Sequence, residues 1–524
     1  MAKPAIYYTT PIYYVNDRPH IGHAYTSLAT DVLARFKRLD GHEVFFLTGT
    51  DEHGQKVEKA AQDAGEDPQA FTDRVSQAFR DLTVTMGFSN DDFIRTTEPR
   101  HKAACVALWT VLAERGEIYL GDYEGWYAVR DEAFYGPDEL VERDGVKFAP
   151  TGAPVEWVRE PSYFFRLGKW LPELLRRFDL PEGDAERIEI LPESRRNEVR
   201  AFIQQGLKDF ADRPEKLDLS VSRTSFKWGV KVPGDEAHVM YVWVDALTNY
   251  ITAAGYPDTN APRWKFWPAD VHVVGKDIVR FHTIYWPALL LAAGLPAPRR
   301  VFAHGWWTNE GQKISKSLGN VIDPVALVEE FGLDAVRYFL LREVPFGQDG
   351  DFSRKALVNR LNGELADALG NLANRVLSLI QRNCEGKLPE AGDPAVGGAL
   401  MAGIAALPGQ VRDRLDRQEF HLALDVVMAS VRDANAYITV EAPWALKKTD
   451  PVRMAAVLRH LHTALRCHAT LLQPFMPGTA GAMLDQLAVP GDARAMADLD
   501  MPLPGGIPLP PPAPLFRKID LAAA

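Results

Sequence analysis

The hydrophobic pattern near the N-terminus predicts a strand, a helix and a second strand in direct succession. Residues 6–15 form an apolar, aromatic run typical of a buried strand in a parallel sheet. Apolar residues then recur every three or four positions from Ile21 to Leu39, which indicates a helix, and residues 44–47 indicate the next strand. Such a unit places the start of its helix at the carboxyl edge of the sheet, where nucleotide phosphates bind.

The pattern changes twice farther along the chain. From residue 118 short aromatic runs are broken by Gly, Pro and Asp, which predicts hairpins or a knuckle inserted into the sheet domain. Further strand patterns lie at residues 217–221, 226–232, 271–274 and 301–305. Further helical patterns lie at residues 171–178, 198–210, 278–293, 356–381, 400–415, 420–440 and 453–473. The last four, with few strands among them, predict a separate helix bundle.

Composition limits the possible classes of protein. A chain of 524 residues exceeds one typical core, so we expect two to four domains. The first residues show no secretory pattern and no apolar stretch is long enough to span a membrane, so we expect a cytoplasmic protein without a membrane partner. Three distant cysteines suit a reducing compartment. The net charge of −11 argues against an indiscriminate polyanion binder but leaves room for a local basic groove.

Two histidines mark the predicted start of the first helix. His20 and His23 are three positions apart and therefore face the same way, and each ring can donate a hydrogen bond to a phosphate oxygen. Gly22 between them leaves room for a flat ring to lie against the backbone. By itself this motif also fits a helix terminus that merely carries two histidines.

A second motif lies almost three hundred residues later. Lys313, Ser315 and Lys316 belong to the segment KISKSLGN, where two cations, two hydroxyls and a glycine make a mobile loop suited to a polyphosphate. A charged surface loop is the alternative for this segment alone. The two motifs together, in this order, resemble the HIGH and KMSKS signatures of the class I aminoacyl-tRNA synthetases.

Several further segments narrow the resemblance to the methionyl-tRNA synthetases, and the likeness covers essentially the whole chain. These segments are TTPIYYVNDRPHIGHAYT, FLTGTDEHG, YVWVDALTNY, GKDIVRFHTIYWP, KISKSLGN and GNLANRV. The resemblance implies that the protein makes methionyl-adenylate from methionine and ATP and then transfers methionine to the 3′-terminal adenosine of tRNA(Met). The implied fold is α/β: a doubly wound parallel Rossmann-like sheet with an inserted knuckle domain and a C-terminal α-helical bundle.

The expected domains follow from this resemblance and from the pattern. They are the first half of the catalytic domain (1–117), the knuckle domain (118–225), the second half (226–300), the lysine-loop and stem-contact region (301–355), the anticodon-binding helices (356–490) and a proline-rich tail (491–524). Polyproline conformation is favoured in the tail, which we expect to pack back onto the protein.

The predicted methionine pocket is apolar and aromatic, because the substrate has a long thioether side chain that makes favourable contacts with rings. Its predicted members are Ile12, Tyr14, Trp243, Ala246, Tyr250, Asp277, His282 and Trp286. By resemblance, Tyr250 and His282 lie near the sulfur and Asp277 accepts the α-ammonium group. Ordinary core packing is the alternative for each aromatic residue taken singly.

Activation needs positioning and charge stabilisation rather than a protein nucleophile. The predicted ATP-binding residues are His20, Gly22, His23, Lys313, Ser315 and Lys316. Asp51 follows a predicted strand at the expected ligand edge, where a solvated acidic turn is the alternative. Asp51 and Arg223 occupy positions that the family uses for activation, although a surface ion pair would also explain Arg223. We expect Mg²⁺ to arrive with ATP.

The knuckle departs from many relatives, which carry zinc ligands there. This chain has Ala128-x-x-Asp131 and Ala149-x-x-Gly152 at the corresponding positions. Alanine and glycine side chains cannot bind a metal, so we expect no structural zinc. The aromatic residues expected to hold the knuckle instead are Trp126, Tyr127, Phe134, Tyr135 and Phe148.

Three residues of the helical region match the positions at which the family reads the anticodon. Asn371 and Arg375 share one helix face, and Trp444 could stack on an unpaired base. An exposed helix face without function is the alternative. The chain ends without the dimerisation module of some relatives, so we expect a monomer.

Three alternatives remain at this point. Other class I synthetases are disfavoured because residues 118–225 are too short for a large editing insertion and lack thiolate zinc ligands. A catalytically silent tRNA-binding protein is disfavoured by the intact His20, His23, Lys313 and Lys316. Another nucleotidyltransferase would leave the helical region unexplained.

Overall fold

The computed structural model describes residues 3–15, 18–131, 133–136, 139–314, 319–390 and 393–520. The strands of the first half are β1 (Ile6–Thr9), β2 (Tyr13–Tyr14), β3 (Val44–Asp51), β4 (Asp92–Arg95), β5 (Ile118–Ala128), β6 (Ala133–Tyr135), β7 (Val141–Arg143), β8 (Val146–Phe148) and β9 (Glu156–Phe165). The later strands are β10 (Glu189–Leu191), β11 (Leu219–Ser220), β12 (Ser222–Arg223), β13 (Lys231–Val232), β14 (Asp235–Met240), β15 (Val271–Gly275), β16 (Arg300–His304), β17 (Trp307–Asn309), β18 (Gln312–Lys313) and β19 (Gly350–Phe352).

The helices of the first 300 residues are α1 (Ile21–Leu39), α2 (Gln55–Ala64), α3 (Pro68–Thr85), α4 (Pro99–Glu114), α5 (Leu167–Phe178), α6 (Glu193–Asp209), α7 (Val242–Leu247), α8 (Asn249–Ala254) and α9 (Trp286–Ala293). The later helices are α10 (Pro324–Phe331), α11 (Leu333–Arg342), α12 (Arg354–Arg360), α13 (Asn371–Asn383), α14 (Pro394–Asp416), α15 (Phe420–Glu441), α16 (Pro443–Thr449), α17 (Pro451–Leu472) and α18 (Pro477–Gln486). Two π-helical segments, Phe281–Tyr285 and Leu361–Gly370, lead into α9 and α13.

Seven of the described strands form one parallel sheet, in the order β10-β16-β15-β1-β3-β2 with β4 also paired to β3. From β1 the chain moves to β3 on one side, whereas β15 is followed by β16 on the other side. The strand order therefore reverses between β1 and β15. Ligands of such sheets bind beyond the carboxyl ends of the strands at this point.

The helix α1 confirms the predicted pattern from Ile21 to Leu39. Its apolar stripe is buried against the sheet, and residues such as Leu28, Val32 and Phe36 have no exposed surface. The helix ends where Gly41 adopts a φ of 83°, a left-handed conformation that favours glycine.

Two strand predictions differ from the structure. The run at residues 6–15 forms two strands, because Pro11 has no N–H to donate and the chain breaks at residues 10–12 before β2 pairs with the end of β3. Of residues 226–232, only Lys231–Val232 is a strand, and it pairs with β14 in a small separate sheet. There Gly229 lies so close to Val239 that an added Cβ would be 3.1 Å from its side chain.

The inserted domain is an antiparallel ribbon in which β5 pairs with β9 and carries β6 and the β7–β8 hairpin. A small apolar cluster of Ala128, Ala149, Ala153 and Val155 lies at its tip, with Trp126 and Tyr135 packed against it. Phe148 is half-buried beside this cluster. The side chain of Phe134 lies outside the described part of the structure.

A buried arginine joins the sheet domain to the helical domain. Arg337 of α11 has no exposed surface, and its Nη2 donates to Asp31 Oδ2 of α1 at 2.7 Å. The same guanidinium donates to the carbonyl oxygens of Met86 (3.0 Å), Pro474 (2.8 Å) and Phe475 (2.9 Å). One side chain therefore connects α1, the end of α3 and the segment after α17.

The proline-rich tail packs back onto the helical domain, as predicted. Gly506 and Leu509 donate backbone hydrogen bonds to Leu388 and Gly386, and the side chain of Leu509 is buried. Among the described residues, no helix combines the length and the apolar character needed to cross a membrane.

Candidate active site

A cavity of about 310 Å³ lies at the carboxyl edge of the sheet, where the strand order reverses. Pro11 and Ile12 reach it from the end of β1, and Gly275 and Asp277 reach it from the end of β15. Asp51 closes the end of β3, and the start of α1 completes the rim. Ligand cavities in proteins have similar volumes and occur at this place in α/β sheets.

The two histidines of α1 cap their own helix. His20 Nδ1 accepts a hydrogen bond from the Gly22 N–H, and His23 Nδ1 accepts one from the His20 N–H, both at 3.1 Å. A ring nitrogen that accepts carries no proton, so a neutral ring holds its proton on Nε2. Each Nε2–H is then a donor of fixed position at a helix N-terminus.

Both rings are held in the neutral form. Burial lowers the pKa of His20, and burial together with the adjacent His20 ring lowers the pKa of His23 well below its usual value. The ring centroids are 3.9 Å apart. Gly22 is required for this packing, because a Cβ there would lie 3.0 Å from His20 Cε1.

Five predicted members of the apolar pocket line the cavity from three directions. Ile12 lies in the break between β1 and β2 and Tyr14 lies in β2, whereas Trp243, Ala246 and Tyr250 belong to α7 and α8. The indole of Trp243 stacks on Phe281 with a centroid distance of 3.6 Å.

A polar pair lies within this aromatic lining. His282 Nδ1 lies 3.0 Å from the Ile278 carbonyl oxygen, which can only accept, so Nδ1 carries the proton and Nε2 accepts. The Tyr250 hydroxyl, 2.7 Å away, therefore donates to His282 Nε2. Burial lowers the pKa of His282 to about 4, so the ring is neutral at neutral pH. The π-helical turn around His282 directs this side chain into the cavity.

Among the residues predicted for catalysis or for the methionine pocket whose side chains the structure describes, two do not line the cavity. Trp286 is fully buried behind Tyr250, with ring centroids 6.0 Å apart. Arg223 is buried between the rings of Tyr241 and Tyr127, and its Nη1 donates to the Ser220 hydroxyl at 2.7 Å. Its burial does not fit the surface ion pair considered as the alternative.

Both predicted carboxylates lie at the cavity. Asp51 is buried rather than solvated, which excludes an exposed acidic turn. Asp277 Oδ1 accepts a hydrogen bond from Trp306 Nε1 at 3.1 Å. Asp277 is therefore oriented at the mouth, where it can attract a cationic group.

A second cavity of about 560 Å³ adjoins the first. The two share His20, Gly22, His304 and Trp306. The second cavity extends over Ile21, Tyr25 and Trp307 toward Ile314. The start of α1 thus lies between a smaller aromatic cavity and a larger one.

Sequence reasoning missed His304 and Trp306, which border both cavities. His304 ends β16, and its Nε2 lies 2.7 Å from the Thr26 hydroxyl of α1. Their position at the end of a predicted strand was the available signal. It was insufficient because the contact that brings His304 to the start of α1, with Thr26, joins positions 278 residues apart.

The predicted lysine loop is described only in part. Its backbone enters along β18, where Lys313 pairs with Thr308, and Ile314 reaches the second cavity. The predicted residues Ser315 and Lys316, and the side chain of Lys313, lie outside the described part of the structure.

The three residues predicted to read an anticodon lie together on the helical domain. Asn371 is exposed at the start of α13, and Trp444, in α16, is 49% exposed. The guanidinium of Arg375 lies 5.7 Å from the centroid of the Trp444 ring. An amide, a guanidinium and an indole on one surface can contact the edges and faces of unpaired bases.

The knuckle positions do not fit a metal. Ala128 and Ala149 direct methyl groups into the apolar cluster at the tip of the ribbon, and Gly152 has no side chain. Asp131 Oδ2 instead accepts a hydrogen bond from the Tyr135 hydroxyl at 2.9 Å. Packing and hydrogen bonds occupy the places that ligands would need.

Comparison with known proteins agrees with this arrangement. The family model of class I tRNA synthetases (M) matches residues 6–377, and that of the anticodon binding domain of methionyl tRNA ligase matches residues 388–523. A methionine–tRNA ligase of Rickettsia bellii is 56% identical over 94% of this chain and 95% of the relative. One from Brucella suis is 53% identical over 99% of this chain and 98% of its own length.

A solved structure is similar over the whole molecule. Methionyl-tRNA synthetase of Mycobacterium tuberculosis in complex with methionyl-adenylate superposes with a TM-score of 0.93 at 47% identity, covering 98% of this chain and all of the other. On the strength of this likeness and of the family model that spans most of its length, the chain belongs to the methionyl group of class I tRNA synthetases.

Proposed function

We propose that this protein is a methionine–tRNA ligase, which forms methionyl-adenylate from methionine and ATP and then transfers methionine to the 3′-terminal adenosine of tRNA(Met). The observation that supports this most directly is the pair of cavities that meet at His20 and Gly22. A small aromatic cavity suits the amino acid and the larger one suits adenosine. The bond between methionine and the α-phosphate of ATP then forms at the start of α1.

Methionine fits the smaller cavity chemically. Ile12, Trp243 and Ala246 offer apolar contacts, and aromatic rings attract a thioether sulfur. Tyr250 and His282 satisfy each other in a neutral pair, so the pocket presents no charge to an uncharged side chain. Asp277 at the mouth accepts the α-ammonium group. The fully buried Trp286 supports the pocket from behind Tyr250 rather than by contact with the substrate.

In the first step a methionine carboxylate oxygen attacks the α-phosphorus of ATP and pyrophosphate leaves. The His20 and His23 Nε2–H groups donate to the phosphate oxygens as negative charge shifts toward pyrophosphate. We place Lys313, Ser315 and Lys316 over the departing pyrophosphate, and Mg²⁺ accompanies ATP as part of that substrate. Asp51 orients the reactants at the cavity, and Arg223 acts through the aromatic residues around it.

In the second step the ribose hydroxyl of the terminal adenosine attacks the carbonyl carbon of the adenylate, and AMP leaves. Selection of the tRNA is assigned to Asn371, Arg375 and Trp444 of the helical domain. We expect the protein to act as a monomer.

The knuckle is proposed to fold without zinc, because two of the four expected ligand positions carry methyl groups, a third is a glycine, and Asp131 accepts a hydrogen bond from Tyr135. Metal analysis of the purified protein is expected to find far less than one zinc per chain. One tightly bound zinc per chain would contradict this.

The function is tested by ATP–pyrophosphate exchange with each amino acid in turn, without tRNA. Exchange with methionine alone is expected. Exchange with another amino acid would contradict the pocket assignment, and exchange with none, even with tRNA present, would favour a catalytically silent tRNA-binding protein.

A further inference from the structure

A buried carboxylate lies directly behind the aromatic wall of the smaller cavity. Asp245 of α7 has no exposed surface, and both of its oxygens are paired. Oδ2 accepts from His53 Nδ1 and Oδ1 accepts from His101 Nε2, each at 2.7 Å. Burial by itself raises the pKa of Asp245, but the two histidines outweigh it and hold that pKa well below its usual range. The carboxylate is therefore ionised and accepts from both rings.

The group resembles a set of metal ligands but is closed by hydrogen bonds. Cys105 Sγ also lies near, 3.2 Å from His101 Nε2. Two ligands of a tetrahedral zinc are about 3.3 Å or more apart, because each zinc–ligand bond is at least about 2.0 Å long. The oxygen–nitrogen distances of 2.7 Å at Asp245 are too short for shared coordination and are typical of charge-assisted hydrogen bonds.

These hydrogen bonds join parts of the chain that form different sides of the cavity. His53 lies two residues after Asp51, which lines the cavity from the end of β3. Asp245 lies between Trp243 and Ala246, which line it from α7. The hydrogen bond from His53 therefore fixes the distance between the α7 wall and the Asp51 side.

His101 of α4 connects α8 to the same carboxylate. Its Nε2 donates to Asp245, and its Nδ1 lies 3.5 Å from the hydroxyl of Thr252 in α8. Thr252 is two residues from Tyr250, which lines the cavity and whose hydroxyl pairs with His282. The cluster of His53, Asp245 and His101 thus joins the segment after β3 to α4, α7 and α8.

We propose that His53, Asp245 and His101 are positioning residues that set the methionine side of the cavity and thereby the affinity for methionine. The proposal rests on the proposed function. None of the three lines either cavity, so none contacts substrate. The adenosine side, built from α1, His304 and Trp306, receives no hydrogen bond from this cluster among the contacts described, so ATP binding is expected to be insensitive to it.

The test uses pairs of variants of the full chain that differ in one donor. In His53→Asn the amide nitrogen takes the place of Nδ1 and still donates to Asp245, whereas His53→Ala removes the donor. In the same way His101→Gln replaces Nε2, and His101→Ala removes it. Each variant is assayed by ATP–pyrophosphate exchange for the KM of both substrates, and its thermal midpoint is measured in parallel.

The alanine variants are expected to raise the KM for methionine about tenfold or more, which corresponds to the loss of one hydrogen bond to a charged group. The KM for ATP should stay within about twofold, and the amide variants should restore most of the methionine affinity. Cys105→Ala is the matched control, because its thiol is a weak donor that lies 3.8 Å from Asp245 Oδ1, and its removal should leave both KM values within about twofold of wild type.

Lower thermal midpoints with unchanged methionine KM would show a merely structural role and overturn the proposal. Parallel losses for methionine and ATP, or no rescue by the amides, would also overturn it. If His53→Ala does not fold, two other comparisons test the same point. These are His101→Ala against His101→Gln, and His53→Asn against wild type. These results are separate from the proposed function, which fails only if the wild-type protein shows no methionine-dependent exchange.

Discussion

The cavity at the sheet edge and the candidate anticodon surface differ in how firmly hydrogen bonds hold their polar side chains and in how far those side chains are buried. At the cavity, His20, His23 and His282 are each held by defined hydrogen bonds, and burial keeps the rings neutral. On the helical domain, Asn371 and Trp444 are exposed side chains of two helices. The first site is held together by its own hydrogen bonds, whereas the second presents exposed side chains to solvent.

This difference follows from the two kinds of ligand. A small molecule gives few contacts, so an enzyme gains rate from donors already oriented where charge develops. An unpaired RNA loop gives many contacts and brings its own flexibility, so stacking faces and exposed donors suffice. The comparison implies that substitutions at the two sites affect separate steps of one reaction.

The largest effect is expected at His23. His23→Asn keeps an acceptor at the place of Nδ1 but lacks the Nε2–H donor, and it should lower the exchange rate by about 100–1000-fold. His23→Gln, whose amide nitrogen reaches the place of Nε2, should retain far more activity. Methionine affinity, followed by tryptophan fluorescence, should change little in both. Equal losses in rate and in methionine affinity would contradict the distinction between a prearranged donor and a binding contact.

A smaller effect, on a different step, is expected at Trp444. Trp444→Ala should lower kcat/KM for tRNA in aminoacylation by about 10–100-fold, the value of one stacking contact. Exchange without tRNA should be unchanged. Val452→Ala, at a side chain 80% exposed in the same domain, is the matched control and should have no effect. A loss of exchange in Trp444→Ala would show that the two sites are not separable.

The smallest effect tests whether burial alone keeps a ring neutral. Burial lowers the pKa of His468 in the helical domain to about 3, and its Nε2 pairs with Ser430. Below pH 6.5 the unfolded chain binds a proton at this histidine that the folded chain does not. The free energy of unfolding therefore decreases as the pH is lowered. From pH 7 to 5.5 His468→Gln should lose about 1.2 kcal/mol less stability than wild type, measured by urea unfolding. Identical pH dependence would contradict this.

Elements governed by local patterns were predictable. The bounds of α1 followed from its apolar spacing and the glycine after it, and the positions of His20, His23, Asp51 and Asp277 followed from strands that end at one edge. The break at Pro11 required knowledge of the β3 partner.

The sequence did not predict how deeply a side chain is buried or which residues distant in sequence form hydrogen bonds. Trp286 has the size expected of a pocket residue, but whether it lines the cavity depends on Tyr250 in front of it. The pairing of Asp245 with His53 and His101 joins positions 192 and 144 residues apart. No local periodicity reports such a contact, because it arises only when the separate elements pack together.

The position of Arg337 limits how this chain can be divided. A fragment that ends before Pro474 would retain the guanidinium and Asp31 but lose two of the four carbonyl and carboxylate acceptors, and it would uncover the apolar faces around them. A buried charge with half of its partners missing is strongly destabilising. A chimera in which the helical domain comes from a relative should therefore keep the two carbonyl groups that accept from Arg337. The smallest catalytic fragment that folds thus extends well beyond the residues that touch substrate.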